Sequence, residues 1–242
     1  MTLDLFWCIL IGYAFGNILT AELIGKIYQK SLFEHGSGNP GMTNTIKVLG
    51  KKAGALVLLG DILKTCAAVG ICVLLFPQWT KLIPLYTGIG VTLGHCFPIW
   101  HHFEGGKGVA VVASAFVLYW PAAGFCALAV GGLGILLKRG VKLSAVLIDV
   151  TFMIWLLFDF AWVTFIPAGV MAVLMAYLNL RPNRLSEPSP EAIELAEEEL
   201  ARTLLEQNAA ADAQSKTSPL PHATRQSDAL EAELINAQIP GE

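Results

Sequence analysis

Long apolar runs alternate with short polar connections as far as residue 180, and beyond residue 186 the alternation stops. A helix needs roughly 20 apolar residues to cross a hydrocarbon layer ~30 Å thick. By that measure the runs predict seven helices, at about 3–25, 53–76, 83–100, 107–120, 122–138, 143–159 and 161–180. Pro121 and the small residues Ala122, Ala123 and Gly124 part the fourth run from the fifth, and the fourth is short, so five spans with re-entrant segments fit the same pattern. The first run starts at Leu3 without a basic flank and reaches Tyr28 without a small-residue cleavage site. It reads as a retained helix rather than a signal peptide. The expected fold class is all-α, a polytopic membrane helix bundle.

Basic residues set the expected orientation, because Lys and Arg concentrate in loops on the cytoplasmic side. Lys26, Lys30, Lys47, Lys51 and Lys52 follow the first helix, Lys107 the third, Lys138, Arg139 and Lys142 the fifth, and Arg181 and Arg184 the seventh. The alternate loops show only Lys81. The amino terminus is therefore expected outside and the carboxyl terminus inside, with every polar, glycine-rich loop on the inner face. A channel or transporter more often carries its polar groups at mid-membrane.

Composition agrees and divides the chain in two. Of 242 residues, 55% are hydrophobic and 14% charged, too apolar for an ordinary soluble domain of this size. Residues 1–186 hold 13 Lys/Arg against 7 Asp/Glu and carry +6, whereas 187–242 hold 3 against 12 and carry −9. The expected division is a membrane domain at 1–186 and an acidic cytoplasmic tail at 187–242. In the tail, Ser189 and Pro190 suit a helix start, and Ile193, Ala196, Leu200 and Leu204 recur at helical spacing. A second short pattern runs from 228 to 237, and Gln-, Ala- and Ser-rich linker composition lies between, so the tail reads as partly helical and largely disordered. The five cysteines lie in or beside apolar segments without a Cys-x-x-Cys pair and read as small hydrophobic residues.

Three polar stretches carry candidate chemistry. The first is Gly36-Ser37-Gly38-Asn39-Pro40-Gly41-Met42-Thr43-Asn44, followed by Lys47. Its glycines let backbone N–H groups converge as an anion-binding nest, Ser37, Asn39, Thr43 and Asn44 add neutral donors, and Lys47 adds charge. A tight connecting loop would need the same glycines. The second is Asp61 with Lys64, three apart on one helical face about 12 Å into an apolar run at ~1.5 Å per residue. Ionisable groups at such depth point to function, or to a self-neutralising structural pair. The third is Gly94-His95-Cys96-Phe97-Pro98 leading to Gly105-Gly106-Lys107-Gly108-Val109-Ala110. Its glycines permit close backbone approach, and Lys107 is a point charge at a helix start. It is not a Walker A loop, which wants Gly at His101 and Ser or Thr at Gly108, so no nucleotide is implied. No metal-ligand set and no nucleophile–base–orienter triad surfaces.

Together these stretches resemble the bacterial acyl-phosphate:glycerol-3-phosphate acyltransferases, the PlsY family. Its first pattern is matched by Ser37, Asn39, Gly41 and Asn44, its second by Asp61 and Lys64, and its third by Gly94, His95, Phe97, Pro98 and Gly105 through Ala110. The likeness covers about residues 8–145 and continues more weakly to 185. This chain departs by having Lys47 for the family's Arg, Thr65 for a Gly, Lys142 for a Ser (with Ser144 nearby), and Leu178 and Arg181 where a His and an Asn are expected. Asn179 and Asn183 stand close by.

The resemblance implies a multi-pass enzyme of the bacterial inner membrane that moves an acyl group from acyl phosphate to glycerol 3-phosphate, yielding lysophosphatidic acid. Its partners would be membrane lipid and these two substrates, with no cofactor, metal or nucleic acid. It implies catalytic roles for Ser37, Lys47, His95 and Lys107. Substrate binding falls to Asn39, Gly41, Thr43, Asn44, Asp61, Lys64, Gly105, Gly106 and Gly108. A small anion transporter, or a relative that binds lipid phosphate without full activity, are the competing expectations.

Overall fold

The computed structural model describes residues 3–158, 162–181, 185, 200 and 202–208. The chain divides into two compact units, Met1–Glu187 and Pro188–Glu242. In the second, residues 200 and 202–208 are helical, and the linker and the pattern at 228–237 lie outside the described residues.

Among the described residues the first unit is entirely helical. Its helices are α1 (Leu3–Gly16), α2 (Thr20–Ile27), α3 (Met42–Leu49), α4 (Lys51–Leu75), α5 (Ile83–Cys96), α6 (Val109–Tyr119), α7 (Pro121–Leu136), α8 (Val141–Leu156) and α9 (Trp162–Leu180). Leu3–Ile27, Lys51–Leu75 and Val163–Leu180 are long and apolar enough to cross a bilayer, and α6 and α7 are shorter apolar helices. Eleven residues of α6 reach about 17 Å, roughly half a hydrocarbon layer. Burial runs opposite to a soluble protein. Leu74, Leu136, Ile166 and Val173 are exposed, while Asp61, Lys64, His95, Asp149 and Asn179 are buried. Such a distribution suits a bundle whose outer surface meets hydrocarbon.

Two elements differ from the sequence expectation. The first run is broken at Asn17-Ile18-Leu19 rather than continuous, and its second part is α2. Asn17 stabilises the break by donating through Nδ2 to the Tyr13 carbonyl and accepting the Ile99 N–H through Oδ1, at 2.7 and 2.8 Å. The second difference is α3, which forms where only a glycine-rich loop was expected.

Helices α1 and α5 form a close-packed pair built on glycines. A methyl group at Gly12 would lie 2.3 Å from the Thr87 carbonyl oxygen, at Gly16 2.3 Å from that of Val91, at Gly90 2.1 Å from that of Ile9, and at Gly94 2.2 Å from that of Tyr13. Both pairs follow the Gly-x-x-x-Gly spacing that lets membrane helices touch backbone to backbone. The pair matters to the site because His95 follows Gly94 directly. A second core unites α6, α7, α8 and α9 around Phe116 and Phe152, whose rings stack 3.8 Å apart.

Candidate active site

Charge inside the bundle is concentrated where α4 and α5 face the break in the first run. The break leaves the Ile18 carbonyl without a helical partner, and the Lys64 ammonium donates to it at 2.9 Å. Lys64 Nζ also meets Asp61 Oδ1 at 2.8 Å and His95 Nδ1 at 3.0 Å. Thr20, at the start of α2, donates to the same Asp61 oxygen at 3.2 Å. The three donors of Lys64 are thus each spent, and a buried cation is stabilised only by this kind of complete pairing. An ammonium can only donate, so His95 Nδ1 is the acceptor and the ring proton is assigned to Nε2. The Nδ1–Asp61 separation of 3.8 Å is too long for a hydrogen bond and does not compete.

His95 Nε2 faces the glycine loop that leads into α6. A methyl group at Gly106 would lie 2.2 Å from Nε2, and one at Gly105 2.0 Å from the His95 carbonyl oxygen. The Gly105 N–H donates to the Cys96 carbonyl and the Gly106 N–H to the His95 carbonyl, at 2.9 and 3.0 Å. The sequence suggested that the amides of Gly105, Gly106 and Gly108 approach a phosphate, and in this structure the first two are engaged by the end of α5. The small size of these two glycines lets the loop lie flat on the end of α5. Gly108, at φ +80°, then turns the chain into α6.

Lys107 stands at that turn. It lines a cavity of about 600 Å³ together with Asn39, Gly105, Gly106, Leu178 and Arg181, with His102, Phe103 and Glu104 at the same wall. Burial holds the Lys107 ammonium below the ordinary lysine range, and the nearby charge of Lys142 pushes in the same direction. Asn179, buried on α9, donates to the Lys107 carbonyl at 3.3 Å and to the Met175 carbonyl at 2.9 Å. The stand-in position noted in the sequence therefore does reach the loop. Among the described residues no three His, Cys, Asp or Glu side chains gather as a metal site would.

The first polar loop contributes Asn39 to this cavity and uses its other residues differently. Asn44 is buried. Its Oδ1 accepts the Ser37 N–H at 2.8 Å, and its Nδ2 donates to the Leu32 and His35 carbonyls, both at 3.0 Å. Asn44 therefore shapes the loop rather than offering donors to a ligand. Gly36 is in the left-handed region at φ +64°, where a methyl would collide with Asn44 Oδ1 at 2.2 Å. Gly41 starts α3. Thr43 and Lys47, four apart on α3, share its exposed face and do not line the cavity. The Ser37 carbonyl accepts the Leu185 N–H at 3.3 Å. Asp61 and Lys64, expected to bind substrate, instead lie beneath the site as the support of His95.

A family model described as glycerol-3-phosphate acyltransferase matches residues 6–184. The chain belongs to the glycerol-3-phosphate acyltransferase family. It is 52% identical over 115 residues to glycerol-3-phosphate acyltransferase 1 of Lactobacillus acidophilus, a stretch covering 47% of this chain and 55% of that relative, so about half the length of each is matched. It is 39% identical over 161 residues to glycerol-3-phosphate acyltransferase 1 of Lactobacillus johnsonii, covering 66% and 78%. The crystal structure of PlsY, an integral membrane glycerol 3-phosphate acyltransferase, in its glycerol 3-phosphate form, superposes with a TM-score of 0.64 at 31% identity, covering 72% of this chain and 86% of that one. The same protein in its lysophosphatidic acid form gives 0.64 at 30% identity, covering 73% and 88%. The chain is thus an all-α integral membrane protein of the glycerol-3-phosphate acyltransferase family, as the three motifs implied.

Several residues of the site escaped sequence reasoning. Asn17 is one polar residue in an apolar run, with no signal that it breaks the helix. Arg181 stands in the sequence as an orientation-setting basic residue and as a departure from the family pattern, with no signal that it lines the cavity. Gly12, Gly16, Gly90 and Gly94 did carry a signal in their spacing.

Proposed function

We propose that this chain transfers an acyl group from an acyl phosphate to glycerol 3-phosphate, releasing lysophosphatidic acid and inorganic phosphate. The observation that carries this reading is the meeting of Asn39 with Gly105, Gly106 and Lys107 in one cavity. Two polar loops far apart in sequence supply it, and it holds cationic side chains. Acyl phosphate is an activated donor, so the protein needs to align and neutralise two phosphates rather than form an acyl-enzyme.

In this reading the glycerol hydroxyl oxygen attacks the acyl carbonyl carbon. An ester C–O bond forms, the C–O bond to phosphate breaks, and phosphate departs with the electron pair. Lys107 offsets the phosphate charge from the N-terminal end of α6, where the helix dipole also favours an anion. Ser37, two residues from Asn39 in the same loop, is assigned a hydroxyl donor's part by its match to the family pattern. His95 carries its proton on Nε2 and so can donate a hydrogen bond but not accept the hydroxyl proton. That proton goes to the departing phosphate. The polar loops face the cytoplasm in a bacterial membrane, an orientation supported by the loop lysines and arginines.

The test is reconstitution of the purified full chain in liposomes with acyl phosphate and glycerol 3-phosphate, scoring lysophosphatidic acid and released phosphate. Equal amounts of both products are expected. Binding of both substrates without product, or solute flux in its place, would overturn the assignment.

A further inference from the structure

We propose that the groove between α8 and α9 is a docking site for a transmembrane helix of another membrane protein, one that brings a hydroxyl or carboxamide side chain to Asp149. The inference stands apart from the acyl-transfer reading. The groove encloses about 430 Å³ and shares no lining residue with the cavity that holds Lys107. Val146, Val150 and Met153 line it from α8 and Ala172, Val173 and Ala176 from α9, with Asp149 in the same wall. Asp149 is 4% exposed, and among the described residues neither of its carboxyl oxygens has a hydrogen-bond partner. A polar group so placed in a membrane helix is costly unless a partner meets it.

Depth decides what that partner is. At ~1.5 Å per residue, Asp149 lies about 12 Å from the Val141 end of α8 and about 10 Å from the Leu156 end, in the middle of the helix. The hydroxyl and ester groups of a lipid lie near the edges of the hydrocarbon layer, about 15 Å from its centre. Acyl chains reach Asp149 but carry no donor. The backbone N–H groups of a neighbouring span are spent within that span. The donor is therefore a side chain on a membrane-spanning helix. A hydroxyl or carboxamide both donates and accepts, and so satisfies a carboxyl group in either protonation state. Among the described residues, no Ser, Thr, Asn or Gln in α1 or α4–α9 of this chain is exposed, so a second copy offers no such side chain. The walls suit a helix in shape. Val146, Val150 and Met153 recur every three to four residues along one face of α8, and Ala172 and Ala176 are four apart on α9, so the groove follows both helix axes. The two alanines let a neighbouring backbone come close, and the unbranched Met153 adapts to what it meets. Val150 and Val173 are exposed and extend the apolar surface on either helix.

The probe is a model transmembrane peptide, a Leu/Ala helix of about 20 residues with one Asn at its centre, set against the same peptide with Leu there. Each carries a dansyl group at one end and is kept dilute enough in phosphatidylcholine liposomes to stay monomeric. Binding to the full chain is read as energy transfer from its tryptophans. Wild type is expected to bind the Asn peptide at least ~3-fold more tightly than the Leu peptide, the scale of one interhelical hydrogen bond in a bilayer. Asp149→Leu is expected to bind the two alike, and Asp149→Asn, which keeps a donor and an acceptor, to retain the preference. Asp149→Leu should melt no lower than wild type, so a lost preference is not a lost fold. Equal binding of the two peptides by wild type would leave the groove to lipid chains and overturn the inference, as would a preference that survives in Asp149→Leu. Energy transfer between two labelled copies of the chain that disappears in Asp149→Leu would give the groove to a second copy and likewise overturn it.

Discussion

Replacing Lys64 with methionine tests the buried cluster most directly. Methionine matches the length of the lysine stem but takes away the charge that faces Asp61, His95 Nδ1 and the Ile18 carbonyl. If these were ordinary interhelical hydrogen bonds, each would contribute about 0.6 kcal/mol in a membrane bundle, less than 2 kcal/mol together. The larger effect comes from Asp61, which is 3% exposed and, among the described residues, would keep only Thr20 as a side-chain donor. Breaking one half of a buried ion pair costs about 3–5 kcal/mol, because the charge left behind has no partner. At roughly 2–4 °C per kcal/mol for a domain of this size, the melting point should fall by at least ~6 °C. The companion is the double variant Lys64→Met with Asp61→Asn, which removes both charges. It should regain at least half of the loss, although each single change destabilises. The assay is thermal unfolding in detergent, followed by intrinsic tryptophan fluorescence for the two single variants and the double. A double variant that melts as low as the sum of the two single losses would refute the argument that an orphaned carboxylate sets the cost.

Further outcomes follow from the site and the packing. Lys107→Ala should lower kcat/KM by ~30-fold, about 2 kcal/mol of lost charge-assisted contact, in the reconstituted assay. Lys142→Ser should move the alkaline limb of the pH–activity profile to higher pH, since removing a neighbouring positive charge favours the protonated ammonium of Lys107. An unmoved limb would separate activity from Lys107 titration. Gly90→Ala should destabilise by ~1–3 kcal/mol through its clash with the Ile9 carbonyl, whereas Gly70→Ala, with nothing within 4 Å, should be neutral or stabilising in the same melting assay. Asp149→Leu should raise the melting point. Among the described residues both buried carboxyl oxygens of Asp149 lack a hydrogen-bond partner beside an apolar groove between α8 and α9, and an unsatisfied buried polar group costs about 1–3 kcal/mol.

The sequence was most informative where chemistry needs residue types at fixed spacing, and least where a local backbone choice turns a side chain. Asn39 and Lys107 were legible because loop glycines and charge stand out against apolar runs. Thr43, Asn44 and Lys47 were legible as a group but not by role. Once 42–49 forms a helix, Asn44 turns inward while Thr43 and Lys47, four apart, turn outward. The same holds for Gly105 and Gly106. Their residue type allows both a phosphate cradle and a flat contact, and the flat contact depends on hydrogen bonds to the His95 and Cys96 carbonyls that only the folded chain brings together. The first run was expected to be continuous because helix periodicity averages over one asparagine. The break at Asn17 depends on the Ile99 N–H, 82 positions away, which no local pattern contains.

The glycine contacts between α1 and α5 divide the chain for anyone who would re-engineer it. Where backbone meets backbone there is no layer of side chains to absorb a change, so randomising positions 12, 16, 90 or 94 should yield mostly inactive clones. Positions 178, near the end of α9, and 181, just beyond it, line the cavity, and libraries there should return folded proteins with altered substrate preference. Innovation in this scaffold is therefore open at the rim and closed at the seam.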